Sequence, residues 1–265
     1  MNSSEIRAFR RAVWDYWKKQ GRHDLPWRKT TDPYRILVSE VMLQQTQVPR
    51  VIEKYAEFLG LFPTVHVLAQ AKLAEVLRAW SGLGYNRRGK YLHDAAKVIA
   101  GEFNGSVHDA TAENKLPGIG PYTRAAVRAF AFDEPHTLLE TNVRAAFIHH
   151  FFADKEAVSD KELIPIMEAA AADQDPREWH WALMDYGTHL KKLHKNPARK
   201  STGYVRQSKF EGSTREVRGA ILRQLHRGPS SLLELPFSHD RIQKAAANLV
   251  RDGLIKQTKK GYVIG

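Results

Sequence analysis

Apolar residues recur every three or four positions along most of the chain, which is the spacing of amphipathic helices. A first helix is predicted from Ser3 or Ser4 to Gly21, and Asp32 can cap a second helix that starts at Pro33. No stretch before residue 250 shows sustained alternation of apolar and polar residues. The predicted later helices cover residues 49–59, 73–80, 87–100, 122–132, 142–152, 160–172 and 177–193. The body of the chain is therefore predicted to be all-α.

The helical pattern stops between about Lys195 and Gly212, where the composition is basic and rich in turn formers. Beyond it we predict a helix, a short second helix capped by Ser230, and a third helix from about His239 to Arg251. A hairpin with a Lys-Lys-Gly turn at 259–261 follows. Three helices and a β-wing are typical of a small winged helix-turn-helix domain. The predicted domains are residues 1–195, a basic linker 196–212 and a winged-helix-like domain 213–265.

Four polar residues of the third helix, Arg241, Lys244, Asn248 and Arg251, are spaced by three, four and three positions. This spacing places them on one solvent-facing stripe, as a helix that enters a DNA groove requires. Two alternatives remain open, because winged helices also bind proteins and a basic helix face can simply be solvated.

Charge is distributed unevenly along the 265 residues, whose formal net charge is +12. Through Asp185 there are 24 basic and 24 acidic residues, whereas from Tyr186 onward there are 17 basic and 5 acidic residues. An excess confined to one end points to a polyanionic partner, and nucleic acid is favoured over an acidic membrane surface. A solubilising tail is the alternative.

Composition excludes several classes of protein. The chain has no cysteine, so disulfides, thiol nucleophiles, iron–sulfur clusters and cysteine-ligated zinc are excluded. No cluster of His, Asp and Glu has a convincing metal spacing, and we predict no metal and no cofactor. No apolar run approaches the length of a membrane helix, and the N-terminus lacks the apolar stretch of a secretory signal. We expect a cytoplasmic, DNA-associated protein with no membrane partner.

The stretch 116–123, Leu-Pro-Gly-Ile-Gly-Pro-Tyr-Thr, combines a tight glycine turn with the start of a helix. Gly118 and Gly120 allow close backbone approach, and the amides at the helix start, near Thr123, can bind a DNA phosphate. With a helical element at 114–116 before it, this stretch predicts a helix-hairpin-helix. An ordinary turn between two helices is the alternative.

A carboxylate stands inside an otherwise apolar and amide-rich helix at 39–48, Ser-Glu-Val-Met-Leu-Gln-Gln-Thr-Gln-Val. Glu40 shares a face with core-type neighbours, and desolvation there favours the protonated form that a general acid needs. The amides of Gln44 and Gln45 can pair with base edges. A solvated helix face is the alternative.

Five stretches together resemble the helix-hairpin-helix DNA glycosylases, and among these the adenine glycosylase (MutY-like) branch. They are 25–27, 39–48, 80–85, 116–123 and 142–144. The resemblance covers roughly residues 10–190. It implies two helical lobes with a DNA-binding cleft between them, a six-helix barrel over about 31–133 and a second lobe formed by 1–30 and 134–195.

The resemblance also implies roles for individual residues. Glu40 matches the acid that protonates adenine at N7, and Asn142 matches an asparagine that orients the catalytic carboxylates. Tyr122 stands where bifunctional relatives carry a Schiff-base lysine, which implies hydrolysis without a lyase step. Four residues match those that wedge into the duplex and hold the orphaned base, namely Gln45, Thr46, Leu83 and Tyr85. We expect Gln44 and Arg87 to contact DNA as well.

Three departures from the family pattern matter. Glu140 stands where the family normally has an aspartate that stabilises the cationic sugar, and its extra methylene can misplace the charge. The cysteine quartet of an iron–sulfur cluster is absent after Gly187. The usual C-terminal domain that reads 8-oxoguanine is replaced by the predicted winged helix.

These observations predict a monofunctional DNA glycosylase that removes adenine mispaired with 8-oxoguanine or guanine. The expected partner is double-stranded DNA with a mismatch or an oxidised guanine, and we expect a monomer. Excision of thymine from T·G mismatches is an alternative, although thymine has no N7 for Glu40 to protonate. A non-catalytic DNA-binding or regulatory protein is a further alternative.

Overall fold

A computed structural model describes residues 3–113, 115–259 and 261–265 of the chain. Asn114, in the predicted hairpin element, and Lys260, in the predicted wing turn, lie outside the described residues. The helices in chain order are α1 (Ser3–Gln20), α2 (Pro33–Leu43), α3 (Val48–Leu61), α4 (Val65–Gln70), α5 (Leu73–Ala79), α6 (Arg87–Glu102), α7 (Val107–Ala112), α8 (Pro121–Phe132), α9 (Thr141–Phe151), α10 (Asp160–Ala171), α11 (Pro176–Leu193), α12 (Thr214–Leu225) and α13 (His239–Arg251). Two short 3₁₀ helices cover Pro26–Arg28 and Pro197–Lys200, and the strands are β1 (Ile255–Thr258) and β2 (Gly261–Ile264).

The chain forms two compact units. Unit 1 comprises Met1–Ile36 and Pro121–Arg206, and unit 2 comprises Leu37–Gly120 and Gln207–Gly265. None of the helices in the described part of the chain is long and apolar enough to cross a membrane. The fold is helical, as predicted, apart from the short hairpin near the C-terminus.

Unit 1 has an aromatic core between α1, α9 and α11. The ring centroid of Phe9 lies 4.7 Å from that of Phe147 and 6.1 Å from that of Trp179. All three side chains are almost fully buried. Burial of large aromatic surfaces is the main favourable term for such a core, so α1 is joined to two helices that lie more than 120 residues away in sequence.

A buried ion-pair cluster joins the segment after α1 to α11. Asp185 accepts hydrogen bonds from the Arg22 backbone N–H at 2.7 Å and from Arg28 Nη1 at 2.8 Å. Burial alone would raise the pKa of Asp185, but the bonds from Arg28 and Arg22 outweigh it and hold that pKa below its usual range. The carboxylate therefore stays ionised and fully paired in the interior of unit 1.

Helices α9 and α11 approach each other most closely at Gly187. A Cβ atom built on Gly187 would lie 1.9 Å from the carbonyl oxygen of Asn142, at the first turn of α9. Only a residue without a side chain allows this separation of the two backbones. Gly187 therefore sets how near α11 lies to the start of α9.

Unit 2 contains α3 to α7 together with the C-terminal module, defined here as Gln207–Gly265. The apolar core of the module includes Leu77 of α5, which is almost fully buried, and Leu73 packs against the same cluster. The module residues of this cluster include Val217, Ile221, Leu225, Ile242, Leu249 and Leu254. The module is thus packed onto α5 through a shared hydrophobic core.

The C-terminal module has two helices and an antiparallel hairpin in which Ile255 pairs with Ile264. An isolated antiparallel bridge joins Ser230 to Tyr262, on the edge of β2 that does not face β1. The short second helix predicted after Ser230 is absent: residues 231–237 form turns and bends. Pro236 limits the conformation of the residue before it, and the segment is too short for a stable helix.

The predicted linker 196–212 begins with a packed segment. Pro197 and Ala198 are buried, and the Val158 amide donates to the carbonyl oxygen of Lys200 at 2.8 Å. The Thr202 amide donates in turn to Val158 at 2.9 Å. Residues up to Arg206 consequently belong to unit 1.

Replacing Gly187 by alanine tests the close approach of α9 and α11. We expect Gly187→Ala to lower the free energy of unfolding by about 3 kcal/mol, because a rigid backbone carbonyl must move to admit the methyl group. Urea unfolding measures the change.

The matched control is Gly101→Ala in α6, where a Cβ meets no atom within 4 Å. The same added methyl group should there raise stability by about 0.5–1 kcal/mol. Equal effects at the two glycines would contradict the assignment of Gly187 to a packing constraint.

Candidate active site

Glu140 is the N-cap residue of α9, and its carboxylate is held by that helix. Its Oε1 accepts from the Val143 amide at 2.7 Å, and its Oε2 accepts from Asn142 Nδ2 at 3.0 Å. Amides at a helix N-terminus carry partial positive charge and favour a carboxylate in this position. The Glu140 side chain, which is longer than that of aspartate, therefore reaches the N-cap position. Each of its two carboxylate oxygens accepts one hydrogen bond there.

A lysine from α11 fixes the Asn142 side chain. Lys191 Nζ donates to Asn142 Oδ1 at 3.1 Å, so the amide nitrogen of Asn142 is the end that faces Glu140. Lys191 follows Gly187 by one helical turn and lies on the same face of α11. The close approach at Gly187 therefore brings the ammonium group to the site.

The environment of Glu140 acts on its pKa in two directions. Burial is the largest effect and raises the pKa above its ordinary value. Hydrogen bonds from the Asn142 and Val143 amides and the charges of Lys191 and Arg144 lower it, but by less. Glu140 thus combines a desolvated carboxyl with donors and cations that support its charged form.

The helix-hairpin-helix has a different first helix from the one predicted. The helix before the hairpin is α7, capped by the Ser106 hydroxyl, which accepts from the Asp109 amide at 3.2 Å. The predicted element at 114–116 is wrong, because Leu116 precedes Pro117 and is held out of the helical conformation. Asn114 lies outside the described residues.

The turn of the hairpin depends on Gly118. Its φ is +66°, and a Cβ there would lie 2.3 Å from the ring of Tyr91. The turn closes with a bond from the Ile119 amide to the Leu116 carbonyl at 3.2 Å, and Gly120 is exposed. The backbone at this turn is therefore held close to α6, with its glycines at the surface.

Helix α8 begins directly after the hairpin, with Tyr122 and Thr123 in its first turn. Tyr122 is partly exposed. The side chain of Thr123 is only 3% exposed, so a DNA contact at this position would have to come from the backbone amide, and it stays a prediction. The amphipathic pattern of α8 turns Thr123 toward the core together with Ala126 and Val127.

Glu40 lies on α2 and is 9% exposed. Ser39, Val41 and Met42 around it are almost fully buried. The carboxyl group therefore lies in the interior face of the helix, as its spacing predicts. Glu40 belongs to unit 2, whereas Tyr122, Glu140 and Asn142 belong to unit 1.

Arg88 connects α2 to the 83–84 turn, and no motif in the sequence predicts this role. Its Nη1 donates to the carbonyl oxygens of Val41 at 2.8 Å and Met42 at 3.0 Å. Its Nη2 donates to Thr46 Oγ1 at 2.9 Å and to the Leu83 carbonyl at 3.3 Å. Burial lowers the pKa of Arg88 to about 10, which still leaves it charged at neutral pH.

Gln45 and Tyr85, two of the predicted wedge residues, share an unusual backbone conformation. Their φ angles are +56° and +47°, in the left-handed region that residues with side chains rarely adopt. Such strain persists where surrounding contacts hold the backbone, and it concentrates at functional positions. The contacts of Arg88 with Thr46 and Leu83 lie beside both residues.

Leu83 is buried in the protein without DNA. Its side chain is 2% exposed, and its insertion into the duplex stays a prediction. Its carbonyl oxygen accepts from Thr46 Oγ1 at 3.2 Å as well as from Arg88. The side chain of Leu83 fills the core, and its carbonyl oxygen accepts hydrogen bonds in the turn.

The other residues of unit 2 that are predicted to contact DNA differ in exposure and in their ion pairs. Gln44 and Thr46 are partly exposed. Arg87 Nη1 pairs with Asp252 at 3.2 Å, and Arg241 lies 3.7 Å from Glu216 with its guanidinium over Phe237. On α13, Lys244 and Arg251 are exposed, and Arg251 donates to Asn248 at 2.5 Å.

The family resemblance implies an iron–sulfur cluster, and the residues present do not fit one. The chain has no cysteine, and the segment after α11 forms the packed 3₁₀ helix Pro197–Lys200. Among residues 3–113, 115–259 and 261–265, no group of three His, Asp or Glu residues is arranged to hold a metal ion. No chemical step is therefore assigned to a metal.

Comparisons with known proteins agree with these motifs. A family model described as "HhH-GPD superfamily base excision DNA repair protein" matches residues 38–168. The chain is 35% identical over 270 residues to the adenine DNA glycosylase of Mycolicibacterium smegmatis, with 92% of each chain covered. It is 33% identical over 273 residues to that of Mycobacterium tuberculosis, covering 92% of this chain and 90% of the relative.

Among solved structures, the chain is similar to a thermostable thymine-DNA glycosylase with a TM-score of 0.60 and 26% identity. The match covers 69% of this chain and 86% of the other. The two sequence relatives and this structure carry glycosylase names.

Removing Lys191 tests how the Glu140 site is held. We expect Lys191→Ala to raise the pKa of Glu140 further, because a nearby positive charge is lost and the Asn142 amide is no longer fixed. NMR titration of the Glu140 carboxyl group measures the shift. Lys192→Ala is the matched control, since Lys192 is exposed. The same titration curve in wild type and Lys191→Ala would contradict the arrangement.

Proposed function

Because the chain belongs to the HhH-GPD superfamily of base excision DNA repair proteins, we propose that it is a monofunctional DNA glycosylase acting on adenine mispaired with 8-oxoguanine or guanine. The names of its two mycobacterial relatives support adenine as the excised base. The observation that carries the proposal is the arrangement around Glu140.

The Glu140 carboxylate is positioned to stabilise a positive charge on the sugar. The Val143 amide and the Asn142 side chain each occupy one lone-pair site of its two oxygens. A carboxylate has about four such sites, so acceptor capacity is left for a developing positive charge. A fixed negative group of this kind stabilises an oxocarbenium-like sugar in the transition state without reorganising.

The proposed reaction is hydrolysis of the bond between C1′ of the sugar and N9 of an extruded adenine. Extrusion costs a few kcal/mol, which contacts with the duplex must offset. Glu40 transfers a proton to N7, the bond breaks with its electron pair going to the base, and Glu140 stabilises the sugar cation. Water then adds to C1′ and gives a proton to the Glu40 carboxylate, which restores the acid and leaves an abasic site and free adenine.

Tyr122 supports a reaction that stops at the abasic site. A phenol at the start of α8 has no amine to form a Schiff base with the sugar, so no β-elimination step is assigned to it.

Thymine excision from T·G mismatches is the second candidate, favoured by the similarity to a thymine-DNA glycosylase structure. In this chain such a reaction would use the same fold and the same Glu140 arrangement. Thymine has no N7, so the buried Glu40 would have no base nitrogen of that kind to protonate. Comparing A·G, A·8-oxoguanine and T·G duplexes under identical conditions, followed by alkaline cleavage, decides between the candidates. No cleavage of any of them would favour a non-catalytic DNA-binding protein.

Substitution of the two carboxylates tests their proposed roles. Glu40→Gln keeps the shape but removes the proton donor, and should slow single-turnover excision by about 10²–10⁴. Glu140→Gln removes the charge that faces the sugar, and should slow it by about 10²–10³. Duplex affinity should change little in either variant.

Glu140→Asp is the informative control, because it keeps the charge. If the α9 backbone lies as in relatives with aspartate, the rate should be retained or increased. If the site depends on the longer side chain that reaches the Val143 amide, the rate should fall. Excision at the wild-type rate by Glu140→Gln would show that another carboxylate performs this role.

We propose that α13 contributes contacts to the DNA backbone through its exposed cations. Lys244→Ala and Arg251→Ala should each reduce the slope of log affinity against log salt by about 0.9, as expected for one phosphate contact. Arg241→Ala should have a smaller effect, since Arg241 lies beside Glu216. Binding titrations over a range of salt measure the slopes.

Lys161→Ala, an exposed lysine on α10, removes the same charge from unit 1. If Lys161→Ala and Lys244→Ala reduced the slope of log affinity against log salt equally, the effect would come from net charge and not from a contact made by α13. Slopes unchanged in both α13 variants would favour protein docking for this helix.

A further inference from the structure

The hydroxyl group of Tyr85 is held by residues of the C-terminal module. Arg215 Nη1 donates to it at 2.7 Å, and Gln207 Nε2 donates to it as well. These residues lie more than 120 positions after Tyr85 in the sequence. A residue predicted to engage the duplex is therefore bonded to a part of the chain that the family resemblance does not cover.

Arg215 uses the two ends of its guanidinium group for different partners. While Nη1 contacts Tyr85, Nη2 donates to the Ser208 carbonyl at 2.6 Å and to the Lys209 carbonyl at 3.2 Å. The guanidinium carbon also lies 5.3 Å from the centroid of the Tyr85 ring. A planar group with several donors can bridge these partners at once, which an ammonium group cannot do.

A second guanidinium approaches the same ring. The Arg88 carbon lies 5.5 Å from the Tyr85 centroid, and both distances are within the range of cation–π contacts. The two cations and Gln207 together hold a side chain whose backbone has the strained φ of +47°. A strained conformation persists when several contacts hold the same residue in this way.

Arg215 is supplied by a packed helix rather than by a loose tail. It lies on α12, whose Val217 and Ile221 share the hydrophobic cluster with Leu77 of α5. Asp252 of the module adds a second attachment, accepting from Arg87 at 3.2 Å and from Arg218 at 2.7 Å. The position of Arg215 is thus set by the docking of the whole module on unit 2.

A cavity of about 550 Å³ adjoins these contacts. Its walls include Gln45 and Tyr85 on one side and Gln207, Phe210 and Arg215 of the module on the other. Phe210 is 55% exposed. Aromatic rings, amides and a guanidinium are the groups that stack on and pair with unstacked bases.

We propose that Arg215 is a positioning residue, which holds Tyr85 in place to engage the DNA duplex next to this cavity. The inference rests on the proposed function, because it takes Tyr85 as a residue that enters the base stack. With the ring fixed before binding, less conformational freedom is lost when the duplex is opened. The C-terminal module thereby acts on duplex opening through one side chain and not only through its net charge.

The opposite role for the same contacts is a latch that keeps Tyr85 away from DNA. The two roles predict changes of opposite sign when Arg215 is removed. Positioning is favoured because the contacts hold the ring at the wall of a cavity that is open to a base, beside Gln45.

The test uses the full-length chain and a duplex with 2-aminopurine next to an A·G mismatch. Fluorescence of 2-aminopurine increases when its neighbour is unstacked, so the signal reports opening without any excision. Arg215→Ala should lower the fluorescence increase at saturating protein and slow single-turnover excision by about tenfold, the size expected for loss of a hydrogen bond to a charged donor.

Three further variants separate positioning from charge. Arg215→Lys keeps the charge but cannot bridge Tyr85 and Ser208, so it should behave like Arg215→Ala. Arg227→Ala, at an exposed arginine beyond the end of α12, removes the same charge and should behave like wild type. Tyr85→Phe removes the acceptor and should match Arg215→Ala. The double variant should be no worse than either single variant, because both break one contact.

Several outcomes would overturn the inference. A larger fluorescence increase in Arg215→Ala would identify a latch, and wild-type behaviour of both Arg215 variants would remove any role. Additive effects in the double variant would show that Arg215 acts elsewhere. Failure of the proposed function is distinguishable, because wild-type protein would then open the duplex without releasing a base.

Discussion

The site in unit 1 depends on how closely α11 can approach α9. The contact between Gly187 and the Asn142 carbonyl leaves no room for a side chain, and Lys191 lies one turn further along the same face. Its ammonium group therefore reaches Asn142, which in turn donates to Glu140. The close packing of the two backbones therefore determines how the Asn142 amide is oriented and which charges surround the Glu140 carboxylate. A helix separation wider by the size of a methyl group would break this sequence of contacts at its first step.

Unit 2 uses a different device for the same purpose. Arg88 binds the last carbonyls of α2 and the 83–84 turn with the two ends of one guanidinium group. Helix carbonyls without intrahelical partners attract a cation, and a buried guanidinium must find an acceptor for nearly every donor. In unit 2 the carbonyl oxygens at the end of α2 and the N–H groups of Arg88 therefore serve as each other's hydrogen-bond partners. The segment with Gln45 and the turn with Tyr85 are consequently held in left-handed conformations that would not persist in an isolated loop.

The sequence predicts the long helices well, since their apolar spacing extends over several turns. Helix α13 has the predicted bounds, and α1 ends at the predicted glycine. The six-residue helices α4 and α7 show too few turns for a periodic signal, and Thr64 and Ser106 caps define them instead. Individual exposures are less predictable: on α3, Ile52 is 37% exposed, while Phe58 is buried. The family motifs predict roles for Glu40 and Asn142. In contrast, Lys191, Arg88 and Arg215 have partners 49, 47 and 130 positions away, which no local pattern reveals.

The glutamate at position 140 is best understood together with the residues that hold it. Aspartate is the better N-cap by intrinsic preference, because its shorter side chain reaches the free amides with less loss of rotamer freedom. In this chain the Asn142 side chain adds a second donor to the cap, and Lys191 prevents that amide from rotating away. The longer carboxylate is thereby confined at both oxygens, which limits the freedom that the extra methylene would introduce. The glutamate is thus held at both carboxylate oxygens by a set of contacts, and those contacts depend on the glycine that lets α11 come close.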